Sequence, residues 1–443
     1  MIKTFALSLL LGGCTLDFSV GSDGPSDTRT EVALVPVTAS SDVDLLFVMD
    51  DSPGAIDLQG SLQHAFGTFL QALAGDSGLP NLHIGVVTTD LGTKGADDAQ
   101  WGPSIGAGPG SCSTGGKSGN LQTNSTTLVT GTFISDRDVG GVRETNYTGS
   151  LVDAFTAISS VGGSGCGFEQ PIEAAKRALD NNAANAGFLR EAARLAVIVV
   201  TDEDDCSIAH STLMGTDTAT LGPLQSFRCT RFGVTCEDGG KTTTDMNVPG
   251  VKGRCHAATS TQYLTSVDAE AAFIQGIKGD RRNVMFGAIA GVSPSIEVAM
   301  EIPPGGGTPI PALRAECTWP STNATQIDPA VRITDHAKAY PRSYVQMACG
   351  ADMTAPALGI AKQIRGMLGD ACITRLIATP ADCEAWDTRA DGSLTPLPAC
   401  SGAAGDCYRF VQDVSCGGQN LRLEVVRVTP PPTDTMVSVR CKL

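Results

Sequence analysis

Leu45-Leu46-Phe47-Val48-Met49 is an unbroken apolar run that stops abruptly at Asp50-Asp51. A run without polar alternation is expected of a strand covered on both faces. After a turn at Pro53-Gly54, Leu58, Leu62, Phe66, Phe69 and Leu73 recur at steps of three and four and predict an amphipathic helix. The same alternation continues down the chain. Leu82–Thr88, Leu195–Val200 and Val284–Ala290 read as strands. Leu151/Phe155/Ile158, Glu169 to Leu179 (Pro171 in its first turn), Phe273/Ile274/Ile277 and Leu358/Ala361/Ile364/Leu368 read as helices. Strand and helix in alternation predict an α/β fold, a mostly parallel doubly wound sheet covered on both faces.

Three stretches break the pattern: 92–130, 207–262 and 291–353. They are rich in Gly, Pro, Ser and Thr and hold six cysteines, Cys112, Cys229, Cys236, Cys255, Cys317 and Cys349. We read them as long insertions stapled by disulfides. The composition changes again at residue 370. Six further cysteines and β-type runs at Leu421–Val428 and Met436–Val439 predict a small cysteine-rich β module over 370–443. Residues 14–41 are polar and aperiodic until Val32, and read as a tether ending in an edge strand at Glu31–Val37 that Pro36 limits.

The start of the chain has its own pattern. Lys3 precedes an apolar stretch, and Leu11-Gly12-Gly13-Cys14 fits a lipobox. Residues 1–13 are expected to be a lipoprotein signal peptide and Cys14 the lipidated residue, with the outer membrane or cell surface as the destination. No other segment is long and apolar enough to span a bilayer, so membrane contact is expected through the anchor only. The chain holds 15 cysteines; lipidation of Cys14 leaves an even number for pairing. With no CxxC pair and only five His, zinc ligation is not indicated and an oxidising compartment is. The net charge of −16 disfavours nucleic acid.

Charge matters most at the strand ends. Asp50, Asp51 and Ser52 follow the first strand; Asp202, Glu203, Asp204, Asp205 and Ser207 follow the central one. Ligands of parallel α/β sheets bind beyond these carboxyl ends, and crowded carboxylates invite a hard cation such as Mg²⁺ or Ca²⁺. Asp44–Gly54 resembles the first motif of von Willebrand factor A-type domains, and Ile198-Val199-Val200-Thr201-Asp202 resembles their third; the resemblance covers 42–369. Gly165–Gln170 and Asp202–Ser207 further resemble cysteine-rich bacterial surface lipoproteins that carry this domain. The resemblance implies a metal-ion-dependent adhesion site, with Asp50 and Ser52 on the cation, Asp202 on it directly or through water, and a protein partner's carboxylate in the open position.

The chain departs from that pattern twice. Gly54 stands in place of the second serine, and the loop before the Ile172–Leu179 helix lacks the family's threonine; Glu169 is the nearest oxygen donor there, unless it caps its own helix. Two readings stay open: a remodelled site using Asp50, Ser52, Asp202 and Glu169, in which Gly54→Ser should tighten metal binding, or a metal-free relic. Cys166 and Cys206 are expected to pair and lock the two loops; the alternative is that each pairs with an insertion cysteine.

Other chemistry finds less support. Gly116-Lys117-Ser118 lacks the glycine that a phosphate loop needs at Ser111. Asp50-Asp51-Ser52 lacks the second aspartate of haloacid dehalogenase-type phosphatases. Three Trp and five Tyr are few for stacking sugars, and no serine elbow or triad is present. The expectation is a protein-binding module rather than an enzyme; the competing class is an extracytoplasmic metal-dependent hydrolase using the same acidic rim, with Asp90 the only further base at a strand end.

Overall fold

A computed structural model describes residues 29–443 except 260, 304–305, 321–324, 351, 403–404 and 417. The signal peptide, Cys14 and most of the tether lie outside the described residues.

The apolar runs form the strands they predict. We label the central elements β1 (Asp42–Met49), α1 (Ile56–Ala74), β2 (Asn81–Thr88), β3 (Ile134–Val139), β4 (Val142–Thr145), α2 (Leu151–Ser159), α3 (Pro171–Leu179), β5 (Arg194–Val200), α4 (Val267–Gly276), β6 (Val284–Ala290), α5 (Val331–Lys338), β7 (Ser343–Met347) and α6 (Thr354–Leu368). The sheet runs β7-β6-β5-β1-β2-β3-β4. Its first five strands are parallel, and β3 and β4 close one edge as an antiparallel hairpin. The mixed α/β class is as expected, with an antiparallel edge added.

Alternation of side chains explains why both faces are covered. Val43, Leu45, Phe47 and Met49 of β1 point to one core with α1, α2 and α6, where Phe66 and Phe155 stack with centroids 3.7 Å apart. Leu46 and Val48 point to the other, with α3, α4 and α5. α1 buries Leu58, Leu62, Phe66, Phe69 and Leu73 and ends at Gly75. α2 starts at a capping box, Ser150 with Asp153. Among the described residues, no helix is long and apolar enough to cross a membrane.

The insertion boundaries need correction. The stretch 291–353 contains α5 and β7, which belong to the central sheet and its cover. β7 hides because it is a short edge strand of mixed polarity, Ser-Tyr-Val-Gln-Met. α5 hides because its buried face carries Arg332 and His336. The remainder of this insertion does not stand alone. Ser295–Glu301 and Ile310–Leu313 join Gly250–Ala257 and Val234–Asp238, from the insertion before it, in a four-stranded antiparallel sheet.

The edge strand expected near Val32 spans Thr30–Pro36, and it is no part of a free tether. It pairs antiparallel with Met436–Cys441, in a sheet with Glu384–Thr388 and Leu394–Leu397, so the carboxy-terminal module includes the segment that enters the central domain. This module docks under the amino ends of the parallel strands. Arg282, just before β6, donates to the carbonyls of Thr388 (2.7 Å) and Asp434 (2.6 Å), and Arg342, just before β7, donates to that of Leu34.

Among the described residues seven disulfides are formed: Cys112–Cys166, Cys206–Cys229, Cys236–Cys255, Cys317–Cys349, Cys372–Cys416, Cys383–Cys441 and Cys400–Cys407. Seven such bonds are those of a chain that folds in an oxidising compartment. The expected Cys166–Cys206 pair is absent. The two loops do meet, since Cys206 N donates to Glu169 O at 2.7 Å, but each thiol turns outward to an insertion cysteine. Both bonds share one apolar cluster with Phe168 and Ile208. They tie the first two insertions to the loops of the acidic edge. By closing loops of 54 and 23 residues they constrain the unfolded chain by about 3–4 kcal/mol each.

Candidate functional site

Strand register sets the site. Met49 lies beside Thr88 and Val200, so β1, β2 and β5 stop level and Asp50, Thr89 and Thr201 follow side by side. The strand order also reverses here: from β1 the chain moves to β2 on one side and later to β5 on the other. This switch point is where an open α/β sheet has a crevice.

Asp50 is 1% exposed and held from two sides. Its Oδ1 accepts from Ser52 N at 2.8 Å, and its Oδ2 accepts from Thr201 Oγ1 at 2.6 Å. The Asp202 carboxyl lies within hydrogen-bonding reach of Asp50; burial, then the charges of Asp50 and Glu203, push it well above the ordinary carboxylate range. Glu169, also 1% exposed, is pushed up by burial and then by Glu203 and Asp50. The four residues singled out in the sequence, Asp50, Ser52, Asp202 and Glu169, therefore come together at one edge.

Four buried oxygens here meet no hydrogen-bond donor: Asp202 Oδ1, both carboxylate oxygens of Glu169, and Asp51 Oδ1. Buried acceptors are seldom left so. A contact between the Glu169 and Glu203 carboxyls supplies a hydrogen bond only if one of them is protonated, and burial raises Glu203 to about 7. Carboxylates thus crowd at this edge, with the Lys117 ammonium 2.6 Å from Asp51 Oδ2. Among the described residues, no three His, Cys, Asp or Glu groups are drawn together as metal ligands.

Gly54 is where the departure from the family becomes geometric. A Cβ there would lie 2.2 Å from Asp202 Oδ2. The Asp202 carboxylate fills the space that a serine at this position would need. This contact sets a cost against the expectation that Gly54→Ser would tighten a metal site, because the hydroxyl enters only if Asp202 shifts.

The acidic run after β5 divides its work. Asp204 caps α5, accepting from Arg332 N (3.0 Å) and Ile333 N (3.1 Å). Asp205 accepts from Ile172 N (3.2 Å) and from the Arg332 guanidinium (3.0 Å), while Ser207 Oγ accepts from Glu173 N (2.9 Å). These two residues cap α3 from another loop, so Glu169 does not cap its own helix. Only Asp202 and Glu203 of the run remain with the site.

Lys117 is a residue that sequence reasoning missed. Its Nζ lies 2.6 Å from Asp51 Oδ2, from within the glycine-rich stretch set aside as a failed phosphate loop. Even so, burial pushes Asp51 up to about 6. Asp90 accepts from Gly92 N at 2.9 Å. Asp328, which approaches through Asp328 N to Asp202 O (2.7 Å), carried no sequence signal because it lies within an insertion.

No family model and no curated protein matches the chain. Solved structures do. The pilus adhesin SpaC from Lactobacillus rhamnosus GG, in its open conformation, aligns at 10% identity over 96% of this chain and 42% of its own, with a TM-score of 0.32. A second structure of the same adhesin gives a TM-score of 0.29 at the same identity and coverage. The chain thus spans less than half the length of these structures, and likeness at this level assigns neither family nor role.

Proposed function

We propose that this chain is a von Willebrand factor A-type binding module of the cell envelope, whose acidic sheet edge grips a protein partner. One observation carries the reading: Asp50, Asp51, Asp202 and Glu169 share the edge at the switch point of the sheet, where buried carboxylate oxygens of Asp51, Asp202 and Glu169 have no donor. Such a place is favourable for a cation and for whatever the cation brings with it. Mg²⁺ or Ca²⁺ would be held by Asp50, Ser52, Asp202 and Glu169, and would supply an open coordination position for a partner's carboxylate. The chain's own residues hold the edge ready: Thr201 and Ser52 N orient Asp50, and Asp205 and Arg332 fix the loop that carries Asp202. The resemblance of Asp44–Gly54 and Ile198–Asp202 to the family motifs supports the same reading. Lipid attachment at Cys14 belongs to the proposal and would hold the protein at a membrane through its acyl chains. No observation favours the hydrolase reading, since Asp90 is engaged by Gly92 N and lies near Lys117.

The test is thermal. A cation at a hundred times its dissociation constant stabilises the fold by about 2.7 kcal/mol. Chelator should lower the melting temperature of the wild type and leave Asp50→Ala unchanged. Calorimetry without Mg²⁺ or Ca²⁺ binding at millimolar concentration, together with a melting curve indifferent to chelator, would refute the metal.

A further inference from the structure

Away from the acidic edge, two helices that cover one face of the sheet meet through buried carboxylates. Glu173 of α3 and Glu270 of α4 are each 3% exposed. One ammonium serves both: Lys176 Nζ lies 3.2 Å from Glu270 Oε1 and 3.4 Å from Glu173 Oε2. The two carboxyls also come within hydrogen-bonding reach of each other, yet Oε2 of each meets no donor. Two ionised carboxylates repel at such a contact. A proton on one of them turns the contact into a hydrogen bond.

The other groups packed around this seam are already engaged. On α3, Arg177 donates to Glu173 Oε1 (2.8 Å) and to Lys94 O (3.1 Å). On α4, the Phe273 ring lies under Lys176, with Nζ 5.8 Å from its centroid. On α5, Arg332 is committed to Asp205 and Thr265 O. His336 Nδ1 donates to Val267 O (3.1 Å), and Tyr340 Oη donates to His336 Nε2 (2.9 Å), so the tyrosine proton is spent away from Glu270. Burial, then the charge of Glu173, lifts the Glu270 carboxyl to about 7 against the pull of Lys176.

We propose that Glu173 and Glu270 share a proton and form a pH-sensitive joint between α3 and α4, closed while the proton is held and loosened when it leaves. α3 starts at Pro171, two residues after Glu169, so the joint also governs how firmly the loop bearing Glu169 is seated. It needs no cation at the acidic edge.

Burial sets the direction of the response. The closed joint holds its proton up to about 7, whereas an opened one releases it near the ordinary glutamate value of 4.5. Between those values each opening releases a proton, so the opening constant rises about tenfold per pH unit and levels off above the window. His336 works the other way: burial pushes it down to about 4, and opening lets it take up a proton below its ordinary 6.5. Comparison with Glu270→Gln, which keeps the shape but does not titrate, subtracts that background.

The test is hydrogen exchange of the whole oxidised chain in chelator, followed by mass spectrometry between about pH 5 and 8 and corrected for intrinsic rates. Protection of peptides covering Pro171–Leu179 and Val267–Gly276 should fall in the wild type, relative to Glu270→Gln, by about tenfold per pH unit up to about pH 7 and no further above it. Lys176→Met removes the ammonium that favours ionisation, so its fall should continue above the wild-type limit. Should Glu270→Gln fail to fold, this second variant carries the test. Equal pH dependence in wild type and Glu270→Gln overturns the proposal, as does a Lys176→Met profile that levels off where the wild type does. The measurement is made without metal, so a chain that binds neither Mg²⁺ nor Ca²⁺ loses the reading of the edge while the exchange profile still decides the joint.

Discussion

Replacing Asp51 by Asn isolates one buried charge of the acidic edge. Asp51 is fully buried, with Oδ2 on Lys117 Nζ and Oδ1 without a donor. Burial pushes its carboxyl from 3.8 up to about 6 against the pull of Lys117. Between those values the folded state holds a proton that the unfolded state has released. Stability therefore falls as pH rises through that window, and the loss is complete above it. The difference corresponds to roughly 3 kcal/mol. Asn keeps the shape and can leave its oxygen on Lys117, but it does not titrate. Urea unfolding of both proteins, between about pH 4 and 7 in chelator, should show the variant gaining on the wild type as pH rises, by up to roughly 3 kcal/mol. Parallel profiles would refute the argument, and with it the claim that burial outweighs the lysine.

Gly54→Ser must push Asp202 aside. It should cost roughly 1–3 kcal/mol in urea unfolding and weaken rather than tighten Mg²⁺ or Ca²⁺ binding by calorimetry; an unchanged stability would mean that Asp202 yields freely. Arg332→Met leaves Asp205 buried without its cation, and a loss of roughly 3–5 kcal/mol is expected; less than about 1 kcal/mol would show that the amide donors to Asp205 suffice. Cys14→Ala should release the protein from membranes or stall its processing. A wild type that fractionates as soluble with Met1 intact contradicts the anchor.

What the sequence reveals depends on how a residue's neighbours are chosen. β1, β2, β5 and β6 are legible because both faces are covered, so nearly every position must be apolar. β7, β3 and β4 lie toward the edges and are built of mixed residues, with β4 fully exposed, so no run marks them. α5 is illegible for the opposite reason: its buried face contains Arg332 and His336, whose partners come from distant parts of the chain. The same limit applies at the site. Position along the chain reveals that Asp50 and Asp202 share an edge, because strand ends align. It cannot reveal that Asp204 and Asp205 turn inward to cap helices, nor that Cys166 and Cys206 pair with Cys112 and Cys229 instead of each other. Lys117 was visible only as part of a motif it does not form.

The strand Thr30–Pro36 gives the molecule two distinct poles. It threads the carboxy-terminal module beneath the amino ends of the parallel sheet, whereas the acidic edge crowns the carboxyl ends. With β1 eight residues long, those two poles are separated by about 26 Å of strand. Thr30, where the described chain begins its first strand, therefore belongs to the pole opposite the acidic edge. Tension applied between these poles would run lengthwise down β1 and β5, loading their paired hydrogen bonds side by side rather than peeling them one at a time. The first joint to meet the remaining load would be the six-residue seam with Met436–Cys441, whose last residue is itself locked by Cys383.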